Sequence, residues 1–207
     1  IRLKPYNVPV HEILDGTTFI LRNNKRIPLL IFGDHNLMNL EGARLLCNGM
    51  SVSDEQFYEA IQSFKGAARR LELVRKEGTF SCFKDFAHSP SKLKATTAAV
   101  KKQFPGRKVV ACMELHTFSS LTSDFLKEYN GSMNTADEAF VYFNPHTIAH
   151  KKLAAISEEQ VKDAFAREDL KVSTDSKALV AELKSRNWNN SVLLLMTSGN
   201  FDGVDFA

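Results

Sequence analysis

The sequence from Leu71 onward predicts an α/β fold, an open and mostly parallel sheet with helices on both faces. Three observations carry that expectation. Short apolar runs alternate with stretches of helical periodicity, which is the pattern of successive β–α units. The runs "KVVACM" (108–113), "AFVYF" (139–143) and "VLLLM" (192–196) are almost unbroken in hydrophobicity, as strands covered on both sides must be. Helix-start signals stand between them: Ser89-Pro90, the Ser157-x-x-Gln160 box and Asp175. Such residues accept the first free N–H groups of a helix or, for proline, have none to lose.

Ahead of this region, "VHEIL", "TTFILR" and "IPLLIF" between residues 8 and 32 read as short β segments. Asp15-Gly16 and Asn23-Asn24 are the turn signals between them. Two helices are expected next. Leu37, Leu40, Ala43 and Cys47 share a face of the first, and the second opens with the box Ser53-x-x-Gln56 and carries Phe57, Ile61 and Phe64. "KGAAR" (65–69) reads as a hinge-like connector. Strands follow at 71–76 and 79–86 around Glu77-Gly78, then a helix at 91–104 with Leu93, Thr97, Val100 and Phe104 on one stripe. The remaining order is strand 108–113, helix 123–130, strand 139–143, helix 157–166, a short strand near 171–173, helix 176–186 and strand 191–197.

Composition narrows the classes. A formal charge of +3, dispersed along the chain, is too weak to argue for nucleic acid. No apolar run approaches the roughly 20 residues of a membrane helix. Three cysteines without CxxC spacing read as cytosolic thiols, so a cytoplasmic protein is expected. The opening "IRLKPYNVPV" has neither a signal-peptide pattern nor an initiator Met, and the chain reads as a piece of a longer protein. Asp34 with His35, and His146 with His150, lack a third ligand, so no metal site is expected within these residues.

The chemistry concentrates where "TFSCFKDFAHSPSKLKATTAAV" (79–100) passes from strand to helix. Ligands of open α/β sheets collect beyond the carboxyl ends of strands, and Asp85 and His88 stand at such an end. An aspartate there can accept hydrogen bonds from ribose, and an imidazole can meet a phosphate or carboxylate. The alternative is that Asp85 and Ser89 cap the helix while His88 is a solvated loop residue.

Three further stretches give these residues a context. "FGDHNLMNLEGA" (32–43), "FKGAARRLEL" (64–73) and "FKDFAHSPSKLKAT" (83–96) follow one another as in the Mur ligases, whose patterns are roughly G-x-H-N-x-x-N-x-x-A-A, F-x-G-x-x-x-R-x-E and D-x-A-H-x-P. The chain resembles that family over nearly its whole length. The resemblance implies a Rossmann-like C-terminal domain at 68–207, preceded at 1–67 by the end of the ATP-binding central domain. It implies an ATP-dependent ligase, with Mg2+ held by residues upstream, that activates a carboxylate as an acyl phosphate for attack by an amine. "MTSGNFDG" (196–203) favours the branch that joins an L-Ala-γ-D-Glu-meso-diaminopimelate peptide to UDP-N-acetylmuramate, in peptidoglycan recycling. The branch that adds L-alanine to the same nucleotide sugar is the alternative, and a non-catalytic nucleotide- or substrate-binding module is a further one. No G-x-x-x-x-G-K-[ST] occurs in the chain, so a fragment inactive alone is expected, in contact with the N-terminal and central domains.

Residue by residue, the resemblance matches Asn36 and Asn39 to adenine-side asparagines; an amide offers the purine edge both a donor and an acceptor. Arg70 matches the arginine of R-x-E, suited to ribose or phosphate oxygens. Asp85 matches the acid at the ribose, and His88 a histidine near phosphate or the reacting carboxylate. His116 and Ser119 fall on an H-x-[YF]-S segment and are expected in the amino-substrate pocket, with Ser198 and Phe201 touching the peptide. The family's arginine is replaced by Ser120, and Asp202 stands where glycine is usual. Arg69 is expected to be solvated.

Overall fold

The computed structural model describes residues 4–204 and 206; residues 1–3, which begin the first expected domain, and residues 205 and 207 lie outside the described residues. A small antiparallel sheet comes first, from β1 (His11–Leu14), β2 (Thr17–Arg22) and β3 (Lys25–Leu29), in the order β1-β2-β3. Both of its turns use left-handed backbone, at Asp15, Gly16, Asn23 and Asn24, which short Asp, Asn and Gly side chains tolerate. Two helices follow, α1 (Asp34–Gly49) and α2 (Asp54–Ile61). The Ser53/Gln56 capping box at α2 is formed in both directions. Phe64 lies beyond the end of α2 and is largely exposed rather than part of its stripe.

The second sheet has six strands in the order β4-β5-β9-β6-β7-β8. They are β4 (Glu72–Glu77), β5 (Phe80–Asp85), β6 (Lys108–Leu115), β7 (Glu138–Phe143), β8 (Lys171–Ser173) and β9 (Ser191–Met196). Only β4 runs antiparallel to its neighbour. The fold is thus α/β, as the alternating texture predicts. Its last strand inserts between β5 and β6, so Met196 is paired with Asp85 on one side and Met113 on the other. The carboxyl ends of β5, β9 and β6 therefore lie side by side.

Period-two alternation sorts the strands' side chains into two cores. Val109, Ala111, Met113, Val192 and Leu194 pack with α3 (Pro90–Gln103) and α6 (Glu158–Phe165) on one face. Val110, Cys112, Leu193 and Leu195 pack with Leu179 and Leu183 of α7 (Ser176–Lys184) on the other. The boxes at Ser157/Gln160 and the cap at Asp175 are formed. The expected helix at 123–130 is a four-residue α4 (Ser123–Leu126) passing into a 3-10 turn (Lys127–Tyr129). A six-residue α5 (Pro145–His150), capped by Asn144, has no counterpart in the sequence reading; six residues are too few to display a helical period.

The small sheet is seated against the end of α3. The Thr18 hydroxyl donates to Gln103 Oε1 (2.9 Å), and Gln103 Nε2 donates to the Gly16 carbonyl (2.7 Å). Phe32 meets Phe83 and Phe104 edge-on, with centroids 5.3 and 5.8 Å apart, a favoured aromatic geometry. No helix among the described residues is long and apolar enough to cross a membrane.

Candidate nucleotide and amino-substrate site

Two adjoining cavities open around the connector between the sheets. One, about 290 Å³, is lined by His35, Arg70, Asp85, Ser91, Lys92 and Thr96 among others. The second, about 340 Å³, is lined by Asn36, Asn39, Ala43, Phe64, Gly66 and Arg70 among others. Arg70 belongs to both walls. Its guanidinium is exposed and makes no ion pair among the described residues. The structure thereby brings together Asn36, Asn39, Arg70 and Asp85, which come from α1, the connector and the end of β5.

The connector is shaped by its backbone. Gly66, Arg69 and Leu71 all have positive φ, so the chain turns sharply on either side of Arg70. Asp85 fixes the exit of this bend. It is 6% exposed, and its two oxygens accept from the backbone N–H groups of Leu71 (2.8 Å) and Ala87 (2.7 Å). Neither Asp85 nor Ser89 caps α3; Ser89 makes no side-chain cap bond. Arg69, expected to be solvated, is anchored instead. Its guanidinium donates to the Gly199 carbonyl (2.9 Å), its N–H to Glu72 Oε2 (2.8 Å), and its carbonyl accepts from the Phe86 N–H (2.7 Å). A left-handed φ directs its side chain toward the end of β9, which alternation along an extended segment does not anticipate.

At the other wall, α1 begins at Gly33, whose φ is 89° and where a Cβ would stand 3.0 Å from Ala99 Cβ and 3.2 Å from the His35 ring. Only glycine suits both the conformation and the approach. Asn36 is buried and its amide donates to the Phe32 carbonyl (2.9 Å), so one of its donors is engaged locally. Asn39, three residues on, is exposed on the cavity wall. His35 is half-buried, and burial is the main cause holding its pKa below the ordinary value; the Arg70 charge adds to this, and Asp85 and Asp34 oppose it. The cavity thus has a guanidinium and a lysine beside an imidazole that burial biases toward its neutral form, and a carboxylate acceptor.

His88 stands one step away. Its Nδ1 faces the Phe86 carbonyl (2.8 Å), its ring packs edge-on against Phe86, and it is not on the wall of either cavity. Its carbonyl accepts from the buried Tyr129 hydroxyl (2.6 Å), which ties the strand–helix turn to the core.

The amino-substrate candidates lie at the ends of β6 and β9. His116 is partly exposed, and Ser119 is exposed in a 3-10 turn with its hydroxyl 3.3 Å from Thr117 Oγ1. The Ser198 hydroxyl is enclosed with no partner among the described residues. Phe201 is different: it is 1% exposed and stacks in the core against Tyr142, with its ring closed to a peptide. Asp202 has φ 57°, which explains why glycine suits this position. Its carboxylate accepts from the Tyr142 hydroxyl and from Asn144 Nδ2 (2.7 Å), and together with burial it raises the Tyr142 pKa.

Sequence reasoning missed Glu114, which is 2% exposed. Its Oε2 accepts from the Thr197 hydroxyl and from the Phe201 N–H (2.9 Å). The available signal was a lone acid closing an otherwise apolar strand.

Comparison with known proteins assigns the class. The model of the family "Mur ligase, glutamate ligase domain" matches residues 69–199, and the chain belongs to that family. A UDP-N-acetylmuramate–L-alanine ligase from Cytophaga hutchinsonii is 30% identical over 180 residues, which is 87% of this chain and 37% of that protein. The chain thus spans well under half the length of this curated relative. The fold matches a UDP-N-acetylmuramate–alanine ligase from Thermotoga maritima (TM-score 0.72, 16% identity, 94% of this chain and 42% of that one). It also matches a murein peptide ligase from Psychrobacter arcticus (TM-score 0.57, 22% identity, 93% of this chain and 42% of that one).

Proposed function

We propose that this chain is the nucleotide-closing and amino-substrate part of an ATP-dependent ligase that adds an amino compound to UDP-N-acetylmuramate. The observation that carries the reading is the position of Arg70, whose guanidinium is unpaired among the described residues, between a cavity lined by Asn36 and Asn39 and a cavity lined by Asp85. Asparagine amides suit a purine edge, and the guanidinium suits ribose or phosphate oxygens. Asp85 already serves two backbone donors, yet each carboxylate oxygen has a second acceptor site for a ribose hydroxyl. ATP fits these residues on its nucleoside side. Mg2+ and the phosphate-cradling loop belong, in this reading, to the portion preceding residue 1, and residues 1–67 are the end of the domain that holds them. His88, off both cavity walls, is assigned to the phosphate or reacting carboxylate by the family resemblance alone. The setting is cytoplasmic peptidoglycan synthesis.

The amino substrate in this reading is L-alanine. The sequence reading put the tripeptide-joining branch first on the strength of "MTSGNFDG". A curated relative that covers 87% of this chain is an L-alanine ligase, and the murein peptide ligase likeness is one of fold. The buried ring of Phe201 removes one of the expected peptide contacts. The test is an assay of the full-length protein with ATP and UDP-N-acetylmuramate, offering L-alanine or L-Ala-γ-D-Glu-meso-diaminopimelate. Phosphate release dependent on L-alanine is expected; release dependent only on the tripeptide restores the other branch, and release with neither ends the ligase reading.

A further inference from the structure

Glu114 is an acid buried at the carboxyl end of β6 with no lysine or arginine to balance it among the described residues, a position that costs stability unless its oxygens are used. One of them is. Oε2 takes the Thr197 hydroxyl and the Phe201 N–H (2.9 Å), and Thr197 Oγ1 in turn accepts from the Gly199 N–H (2.7 Å). The loop leaving β9 is thereby drawn onto the end of β6. The approach is so close that a Cβ on Gly199 would lie 2.7 Å from Oε2 and 2.8 Å from the His116 ring, which only glycine permits. Oε1 remains, and it faces Nδ1 of His116 at 3.5 Å. That is longer than a hydrogen bond but within ion-pair distance, and Glu114 is the one carboxylate paired with His116 among the described residues; contacts of this kind are often long in a site without substrate.

We infer that Glu114 is a positioning residue for His116. It holds the imidazole with its proton on Nδ1, so that the Nε2 lone pair is presented to the amino group of the incoming substrate. A carboxylate can only accept, so the nitrogen facing it must carry the hydrogen, and the other nitrogen of a neutral ring is then an acceptor. The site consequently takes its amino compound by the N–H groups of an amine or ammonium. This deepens the ligase reading and rests on it for the identity of the substrate, whereas the tautomer is a property of the chain itself.

The test reads the tautomer directly, by long-range 1H–15N correlation of the His116 ring, with the pH raised until its 15N shifts no longer change. The 207-residue chain is used without substrate. The wild type is expected to carry its proton on Nδ1. In Glu114→Gln the amide oxygen can still accept from Thr197 and Phe201, which turns the NH2 group toward His116; Nδ1 then becomes the acceptor and the proton moves to Nε2. Glu114→Asp, charged but one methylene shorter, is expected to restore Nδ1–H at least in part. A wild-type ring protonated on Nε2, or the same tautomer in wild type and Glu114→Gln, overturns the inference. The wild-type spectrum decides alone if a variant does not fold. In the full-length enzyme, Glu114→Gln is expected to raise KM for the amino substrate about tenfold, one hydrogen bond's worth, and to leave KM for ATP unchanged. A lost ligase reading would remove this kinetic arm and leave the tautomer result standing.

Discussion

Around the connector, Arg70, Asn39 and Lys92 are exposed and line open cavities, while at β6 and β9 Glu114 is bonded to the Thr197 hydroxyl and the Phe201 backbone, and the Phe201 ring is packed in the core. The first region uses backbone to hold side chains free: three left-handed residues and Gly33 shape the walls. The second uses side chains to hold backbone. A free side chain is available to a ligand and contributes little to folding; an engaged one does the reverse. The contrast therefore divides the motif-matched residues by what their loss should cost.

The largest effect is expected inside the second region. Phe201→Ala removes a fully enclosed ring stacked on Tyr142 and should cost about 3–5 kcal/mol in urea unfolding. A loss below about 1 kcal/mol, on the scale of an ordinary surface change, would mean that the ring is not anchored in the core and is available for a peptide after all. Asp85 comes next because it straddles the division. Asp85→Ala strands two buried N–H groups, on Leu71 and Ala87, and should cost about 2–4 kcal/mol. It should also raise the KM for ATP in the full-length protein, and an unchanged KM would leave Asp85 a purely structural clasp.

This division was only partly legible in the sequence. Apolar runs, turn signals, helical periodicity and capping boxes located every strand and the longer helices, because these signals are local. Motif spacing located Asn36, Asn39, Arg70 and Asp85, which do converge. The fate of Phe201 was not legible, since an aromatic in a glycine-flanked loop reads alike whether its ring faces solvent or folds under β7. Arg69 was misread for a similar reason: alternation predicts its direction only if the backbone is extended, and its φ of 59° is not. Glu114 depends on a loop 83 residues away in sequence, at Thr197, and no local pattern carries that pairing.

A sharper test of the open region is Arg70→Ala. The exposed guanidinium makes no hydrogen bond or ion pair among the described residues, so stability should change by no more than about 0.5 kcal/mol. The KM for ATP should rise roughly 10- to 100-fold, as expected for losing a charge-assisted hydrogen bond. Equal damage to stability would erase the distinction between the regions, because Arg70 would then be holding the connector as Arg69 does.

The smallest effect concerns His35, the one half-enclosed group of the open cavity whose charge state the fold resists. Burial and Arg70 hold its pKa below the ordinary value against the pull of Asp85 and Asp34. The unfolded chain therefore takes up this proton before the folded one does, and linkage makes the protein lose stability as pH falls through about 6.5 toward the folded value. Above that range the His35 contribution is fully present. Asp54, Asp137, Glu138 and Asp169 also have lowered pKa values, but their contributions fade only as pH falls through the carboxylate range, below about 4.5. Urea midpoints compared between about pH 7.5 and pH 5 isolate the histidine, and His35→Gln should flatten the difference. An undiminished slope in the variant would mean that water reaches the ring freely, and that the cavity wall between Arg70 and α3 is more open than the enclosed faces of β6 and β9 by a wider margin than the geometry gives.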